Sequence, residues 1–242
     1  MNKRREMHER LARRDIVTGC SVDQPSVALA GMLGRQGFDL VFIDTEHGGP
    51  GIERVGDLAT GARAGNALAV LRPWSRDPGL LRRYVDCGID GLIIPDLAGV
   101  DDLKSLLSTL DDAVPSGHAD LVLIGLIESV GAIDMLPGLF AEPRLDAVLV
   151  GPGDLAVSMG LPRGSRDPAI TQRVLDVLRL AEQAGRSAGA PVFRIELSLI
   201  LGAGGNLLMY SSDRLLLDGI AAAQADIKAS VADSRSAGDA SG

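Results

Sequence analysis

Apolar residues fall into two kinds of run that alternate along the chain. One kind is short and nearly continuous: Val17–Val22, Leu40–Asp44, Ala67–Leu71, Gly91–Pro95, Leu121–Ile127, Ala147–Val150, Pro191–Ile195 and Asn206–Tyr210. Such runs predict strands buried on both faces, as in a parallel sheet. The other kind places its apolar residues at helical spacing, over Met1–Arg14, Pro25–Arg35, Ile52–Ala64, Asp101–Leu110, the stretch from Glu128 to Leu139, Pro168–Ala188, Glu196–Leu201 and Asp213 to about Ser230. Gly37 is a C-terminal stop for one helix, and Asp77-Pro78 reads as an N-cap and first helical residue for another that Gly88 ends after Cys87. Eight strands alternating with helices predict an α/β fold, a single-domain (β/α)8 TIM barrel over residues 1–230 with a helix at each end. Residues 231–242 carry no apolar pattern and are expected to form a disordered tail.

In that fold the chemistry sits at the C-terminal rim of the strands. Asp44, Glu46 and His47 follow the second strand, Arg72 the third, Glu128 ends the fifth, and Asp154 follows the sixth. The two strands that deliver Glu128 and Asp154 are joined by one helix's worth of chain, so a right-handed crossover brings both acids to one rim. Two acids converging there repel each other unless a cation sits between them.

Composition narrows the function. Hydrophobic residues make up 46% of the 242 and aromatics only 3%, which suits one large core of small residues closely packed. A net charge of −8 with few aromatics argues against a nucleic-acid partner. The basic residues Lys3, Arg4, Arg5, Arg10, Arg13 and Arg14 are interleaved with Glu6, Glu9 and Asp15 and read as a solvated first helix. No apolar run reaches membrane-spanning length and none resembles a signal peptide, so a cytoplasmic protein without membrane contact is expected. Cys20 and Cys87 fit a reducing compartment and have no metal-ligand spacing.

The reactive side chains narrow it further. The only lysines, Lys3, Lys104 and Lys228, lie on expected helices or the terminus, which speaks against Schiff-base and pyridoxal-phosphate chemistry. His8 lies in the first helix and His118 ahead of the fifth strand, leaving His47 as the histidine of the catalytic rim and a candidate general acid/base. Glu128 and Asp154 are hard oxygen donors without clustered Cys or His, which suits Mg²⁺ or Mn²⁺ and leaves coordination positions for a chelating 2-oxo acid. Arg72 can donate to the keto oxygen and stabilise an enolate, or pair with Asp44, or both. Gly151–Ala156 also matches a dinucleotide fingerprint, but Asp154 would then face a pyrophosphate with like charge. The stretch reads better as a turn whose Gly153 and Asp154 N–H groups hold a substrate carboxylate. No serine-hydrolase nucleophile elbow is expected, and Cys20 has no basic sequence neighbour.

Four separated stretches, Phe38–His47, Val70–Trp74, Ile127–Ser129 and Val150–Gly160, resemble in order the HpcH/HpaI family of metal-dependent (class II) 2-oxo acid aldolases, and the similarity runs from about Leu11 to Leu217. The resemblance implies a divalent ion held by Glu128 and Asp154, pyruvate or a close relative as its chelator, Arg72 as the group that steadies the enolate, and His47 as the acid/base. It also implies that Asp44 and Asp86 assist His47, Asp86 through a neighbouring subunit, and that the chain forms a homohexamer with its last helices exchanged. Two departures touch the mouth of the site. The family's P-P-x-G-x-R-G segment between strands four and five is missing, and Leu126 replaces a common glutamine. The expected activity is a lyase that makes or breaks a C–C bond between a 2-oxo acid and an aldehyde through a pyruvate-type enolate. The same enolate could serve decarboxylation or acyl-CoA ester cleavage, and a barrel that binds a 2-oxo acid without turnover is the third reading.

Overall fold

The computed structural model describes residues 3–47, 49–113 and 120–239; His118 lies outside them, as do residues 240–242 at the end of the chain. The elements in order are α1 (Lys3–Ala12), β1 (Val17–Ser21), α2 (Val27–Arg35), β2 (Leu40–Asp44), α3 (Ile52–Ala64), β3 (Leu68–Arg72), α4 (Pro78–Asp86), β4 (Gly91–Ile94) and α5 (Val100–Ala113). They continue as β5 (Val122–Ile127), α6 (Val130–Asp134), α7 (Leu136–Phe140), β6 (Ala147–Val150), α8 (Pro152–Ser158), α9 (Pro168–Gln183), β7 (Ser187–Pro191), α10 (Leu197–Gly202), β8 (Leu207–Ser211) and α11 (Ser212–Asp239). The eight strands pair in sequence order, all parallel, and β8 closes on β1 with Val17 opposite Leu207. The expected (β/α)8 barrel is the fold, in one domain.

The continuous apolar runs follow from burial on both faces of each strand. Leu40, Leu68, Val70, Ile93, Val122, Ile124, Leu126 and Leu149 fill the barrel interior, while Val41, Ile43, Ala69, Leu71, Leu92, Leu123 and Val148 face the helices. Because successive side chains point to opposite faces, neither set can be polar.

The first helix is not a solvated element. Met7 and Leu11 are buried and join the interior cluster, so α1 plugs the barrel. Its basic residues reach the acids that immediately precede strands: Arg4 Nε lies 3.1 Å from Asp90, His8 Nδ1 2.6 Å from Asp146 and Arg10 Nη1 2.5 Å from Asp39. Asp39, Asp90 and Asp146 each stand one residue before β2, β4 and β6, which fixes α1 to the N-terminal end of the barrel, away from the catalytic rim.

Local differences from the sequence pattern have physical causes. The seventh strand is Ser187–Pro191 rather than Pro191–Ile195, and the preceding helix ends at Gln183 rather than Ala188. Gly185, at φ 66°, takes the left-handed turn that stops the helix. The small residues of β7 are then required by the sheet: a Cβ on Gly189 would lie 1.7 Å from the carbonyl oxygen of Leu207 on β8. The stretch after Glu128 is two short helices, with Pro137 in the first turn of the second. The expected turn after β6 is helix α8, and α11 continues to Asp239, past the Ser230 that the pattern suggested. Among the described residues no helix is long and apolar enough to cross a membrane.

Candidate active site

Parallel pairing aligns Asp44, the last residue of β2, with Arg72, the last of β3. Arg72 donates through Nε to Asp44 Oδ1 at 3.0 Å and through Nη2 to Oδ2 at 2.5 Å, and its Nη1 lies 2.9 Å from Glu46 Oε2. The guanidinium is nearly enclosed and sits 5.8 Å from the centroid of the Phe42 ring. Burial works against its charge, but the hydrogen bonds and charges of Asp44 and Glu46 prevail and raise its pKa further. Burial likewise pushes the Asp44 carboxyl up, and Arg72 with two backbone N–H donors more than reverses this, holding it below its usual value. Both proposed roles of Arg72 therefore start from one geometry: it is clamped by Asp44 and still lines the barrel mouth.

The loop after β2 is pinned to the same clamp. Glu46 and His47 donate their backbone N–H groups to Asp44 Oδ1 at 3.0 and 3.4 Å. Thr45 Oγ1 donates to the Arg72 carbonyl at 2.7 Å and accepts from Tyr84 Oη at 3.1 Å. The half-exposed His47 ring points toward the acids of the mouth, with Nε2 3.9 Å from Glu46 Oε2 and 3.8 Å from Asp154 Oδ2. Asp44 thus meets His47 at the backbone, and the acids beside the imidazole are Glu46 and Asp154. Burial, with the like charges of Asp44 and Asp96, raises the Glu46 pKa despite the cations near it.

Across the mouth, β5 and β6 lie side by side with Ile127 opposite Val150, and Gly151 N–H continues the ladder to the Ile127 carbonyl at 3.0 Å. Glu128 follows at once and is only 8% exposed. Its carboxylate accepts the Asp96 N–H at 2.7 Å, a donor aimed by the positive φ of 50° at Asp96. No cation pairs with Glu128 among the described residues. Burial first, then the charges of Asp96, Asp154 and Glu46, push its pKa to about 7 against the pull of that one hydrogen bond. Gly151 is needed beside it, because a Cβ there would stand 3.2 Å from both Cβ and Oε2 of Glu128. Gly153 and Asp154 occupy the first turn of α8, where backbone N–H groups have no acceptor within the helix. Asp154 itself is gripped by Arg163 through both guanidinium nitrogens, with Nη1 2.7 Å from Oδ2.

Arg72, Glu128, Gly153, Asp154 and Arg163 line one cavity of about 340 Å³ whose floor is Phe42, Ile93, Leu126 and Leu149. His47 reaches its edge through Asp154. Asp86 is not part of this constellation: it ends α4 with an exposed side chain, 3.9 Å from Arg82. Cys20 is buried, and burial with the nearby Asp23 pushes its thiol up to about 12, so it offers no thiolate nucleophile.

Asp96, Arg163 and Arg194, which also lines the cavity, were not singled out by the sequence. Asp96 contributes a backbone N–H and leaves no side-chain signature. Arg163 lies nine residues beyond Asp154 in an irregular segment, and only the path of that segment returns it to the rim.

The donor set suits a hard divalent ion. A buried carboxylate at about pKa 7, without a counter-cation among the described residues, shares a cavity with a second carboxylate paired to the exposed guanidinium of Arg163. Among the described residues no three His, Cys, Asp or Glu side chains converge on one point, so the protein would supply two ligands and leave the rest of the shell to water and substrate.

Comparisons with known proteins identify the family. The chain is 23% identical over 202 residues to a hydroxypyruvate/pyruvate aldolase of Roseovarius nubinhibens, covering 74% of this chain and 79% of that protein. It is 26% identical over 187 residues to a pyruvate aldolase of Rhizobium etli, covering 68% and 74%. The crystal structure of an HpcH/HpaI aldolase/citrate lyase family protein from Burkholderia cenocepacia J2315 superposes with a TM-score of 0.82 at 24% identity, over 92% of this chain and 99% of that one. The profile of the same family matches residues 18–197, from β1 into the start of α10, a span that carries Asp44, His47, Arg72, Glu128 and Asp154. With barrel, rim and profile in agreement, the chain is a member of the HpcH/HpaI aldolase/citrate lyase family.

Proposed function

We propose that the chain is a divalent-metal-dependent carbon–carbon lyase, an aldolase that joins or cleaves a 2-oxo acid of the pyruvate type and an aldehyde. One observation carries the reading: Glu128, buried without a cation partner among the described residues, shares its cavity with Asp154 and with the clamped guanidinium of Arg72. The aldolase activities of the relatives support the same class.

Glu128 and Asp154 would hold Mg²⁺ or Mn²⁺, and the ion supplies Lewis-acid polarisation of the 2-oxo group and a template for its carboxylate. Arg163 must release Asp154 for this. The N–H groups of Gly153 and Asp154, in the first turn of α8, would hold the substrate carboxylate. In the cleavage direction His47 takes the proton of the hydroxyl at C4, and the C3–C4 bond breaks with release of the aldehyde. The electron pair moves onto C3, C2 and the C2 oxygen, where Arg72 donates to the growing negative charge. The proton taken up by His47 is then delivered to C3, which returns the 2-oxo acid and the free imidazole. Asp44 positions Arg72 and the His47 loop, and Glu46 lies beside the ring; Asp86 could assist His47 only from a neighbouring subunit.

A homo-oligomer, a hexamer by family resemblance, is part of the proposal. Its support is α11, whose Leu215, Leu216, Leu217, Ile220 and Ile227 are all exposed. A cytoplasmic location is proposed with it. Exchange of the pyruvate methyl protons into D₂O, followed by NMR with Mg²⁺ or Mn²⁺, tests the enolate directly. We expect exchange that stops with EDTA and in Glu128→Gln. Exchange insensitive to both, or none at all, would refute the reading; release of CO₂ or CoA without aldehyde chemistry would redirect it to decarboxylation or ester cleavage.

A further inference from the structure

The last paired residues of β2 and β3 are Asp44 and Arg72, and the loop that carries Glu46 and His47 leaves the barrel just beyond them. One hydroxyl stands at that point of departure. Thr45 Oγ1 donates to the Arg72 carbonyl at 2.7 Å and accepts from the Trp74 N–H and from Tyr84 Oη, each at 3.1 Å. A hydroxyl has one proton to give and two lone pairs to fill, so this one is saturated. With the Thr45 N–H, which donates to the same Arg72 carbonyl at 3.1 Å, it carries the pairing of the two chains past the end of the sheet.

Two features connect this contact to the site. Tyr84, in α4, is 3% exposed, and its polar tip is directed out of the core to the rim, where Thr45 is the partner that a buried hydroxyl requires. The loop beyond Thr45 is folded back on its own start: Glu46 and His47 donate their N–H groups to Asp44 Oδ1, and Gly49 packs so closely on the Asp44 carbonyl that a Cβ there would lie 1.4 Å from its oxygen. It therefore travels with Asp44 and Thr45 as one body, and its place relative to Arg72 depends on the bonds that cross from β2 to β3. Those of Asp44 and Glu46 grip the end of a long, rotatable side chain. Thr45 holds the backbone from which Arg72 extends.

We propose that Thr45 and Tyr84 are positioning residues of the aldolase site. Tyr84 aims the Thr45 hydroxyl, and Thr45 sets the separation between the His47 imidazole and the Arg72 guanidinium, the base and the oxyanion donor of the reaction. Neither residue lines the cavity, so both act through groups that reach it. Glu128 and Asp154 stand on other elements, at the end of β5 and in α8, and are not held by this contact. Misplacing the base then slows proton transfer and leaves the binding of metal and 2-oxo acid as it was.

The inference rests on the aldolase reading, and the test separates the two. Exchange of pyruvate methyl protons into D₂O with Mg²⁺ is measured against pyruvate concentration, and Mn²⁺ affinity is read from the EPR signal of the free ion. Thr45→Val and Tyr84→Phe, which remove a hydroxyl and keep the shape, are each expected to lower the saturated exchange rate by about tenfold to a hundredfold. Half-saturating pyruvate and the Kd for Mn²⁺ should stay at the wild-type values. The double variant should be no slower than the slower single one, because both hydroxyls act through one bond, and Thr45→Ser should recover most of the rate. A rate within about twofold of wild type in either single variant, losses that multiply in the double variant, no recovery in Thr45→Ser, or a loss carried by pyruvate or Mn²⁺ binding overturns the assignment, while exchange in wild type leaves the aldolase reading standing. Absence of exchange in wild type overturns both.

Discussion

At the scale of the residue, the site is a contest between burial and pairing. Asp44 and Glu128 are both withdrawn from water at strand ends, yet their carboxyls move in opposite directions because only Asp44 has an arginine. Replacing Arg72 by Lys keeps the charge and loses the fork that grips Asp44 and that, in the proposed reaction, would donate to the C2 oxygen. We expect kcat for aldol cleavage to fall by about 10²–10³, the cost of losing one oriented oxyanion donor, with a smaller change in KM. Steady-state kinetics on a 4-hydroxy-2-oxo acid would show it, and near-wild-type turnover would remove Arg72 from the reaction. The residues that sequence disclosed here are those whose chemistry lies in the side chain at a strand end: Asp44, His47, Arg72, Glu128 and Asp154. Asp96 acts through its backbone N–H, a property that is not written in the residue's identity.

At the scale of the element, helix α1 and strand β7 departed from their pattern for definable reasons. The charges of α1 look like a solvated face until the acids one residue ahead of β2, β4 and β6 converge on it. His8 sits in one of these pairs. The hydrogen bond that His8 donates to Asp146 outweighs burial and raises its folded pKa above the unfolded value near 6.5. A raised pKa gives stability that is fully present below the unfolded pKa and is lost as pH rises through the folded one. The melting temperature of wild type should therefore exceed that of His8→Gln by more at pH 6 than at pH 9; an equal or widening gap at pH 9 would contradict the ion pair. In β7, the run Ser-Ala-Gly-Ala-Pro lacks β-branched residues and reads as more helix, yet it is a strand because only small residues fit against β8. Gly189→Ala should destabilise by about 1–3 kcal/mol or more in denaturant unfolding, since backbone and not a flexible side chain stands in the way.

At the scale of the molecule, ligand and assembly are linked to stability. A dication bound only by the folded state raises stability by about 2.7 kcal/mol at a hundredfold excess over its Kd. Thermal melting should therefore shift upward with Mn²⁺ or Mg²⁺ in wild type and remain in place in Glu128→Gln. The uncomplexed Glu128→Gln protein should also melt above uncomplexed wild type at pH 8, because it no longer buries an uncompensated charge. The exposed apolar face of α11 makes a second forecast: Leu216→Asp with Ile220→Asp should lower the sedimentation coefficient to that of smaller species. An unchanged, monomer-sized particle in both proteins would exclude the oligomer.

What the sequence determined by itself was the order of strands and helices, the single closed barrel and the rim on which the acids stand. Strand and helix periods are local, and right-handed crossovers leave little choice of topology once eight units alternate. Which acid meets which cation was decided only by the tertiary structure. The partners of Asp154, Glu128 and the first helix come from loops and rims brought together by barrel closure, and their electrostatics depend on burial, which no spacing along the chain encodes. The same reason separates Arg194 from Arg72 and Arg163: it lies beside the cavity, and among the described residues no carboxylate pairs with it.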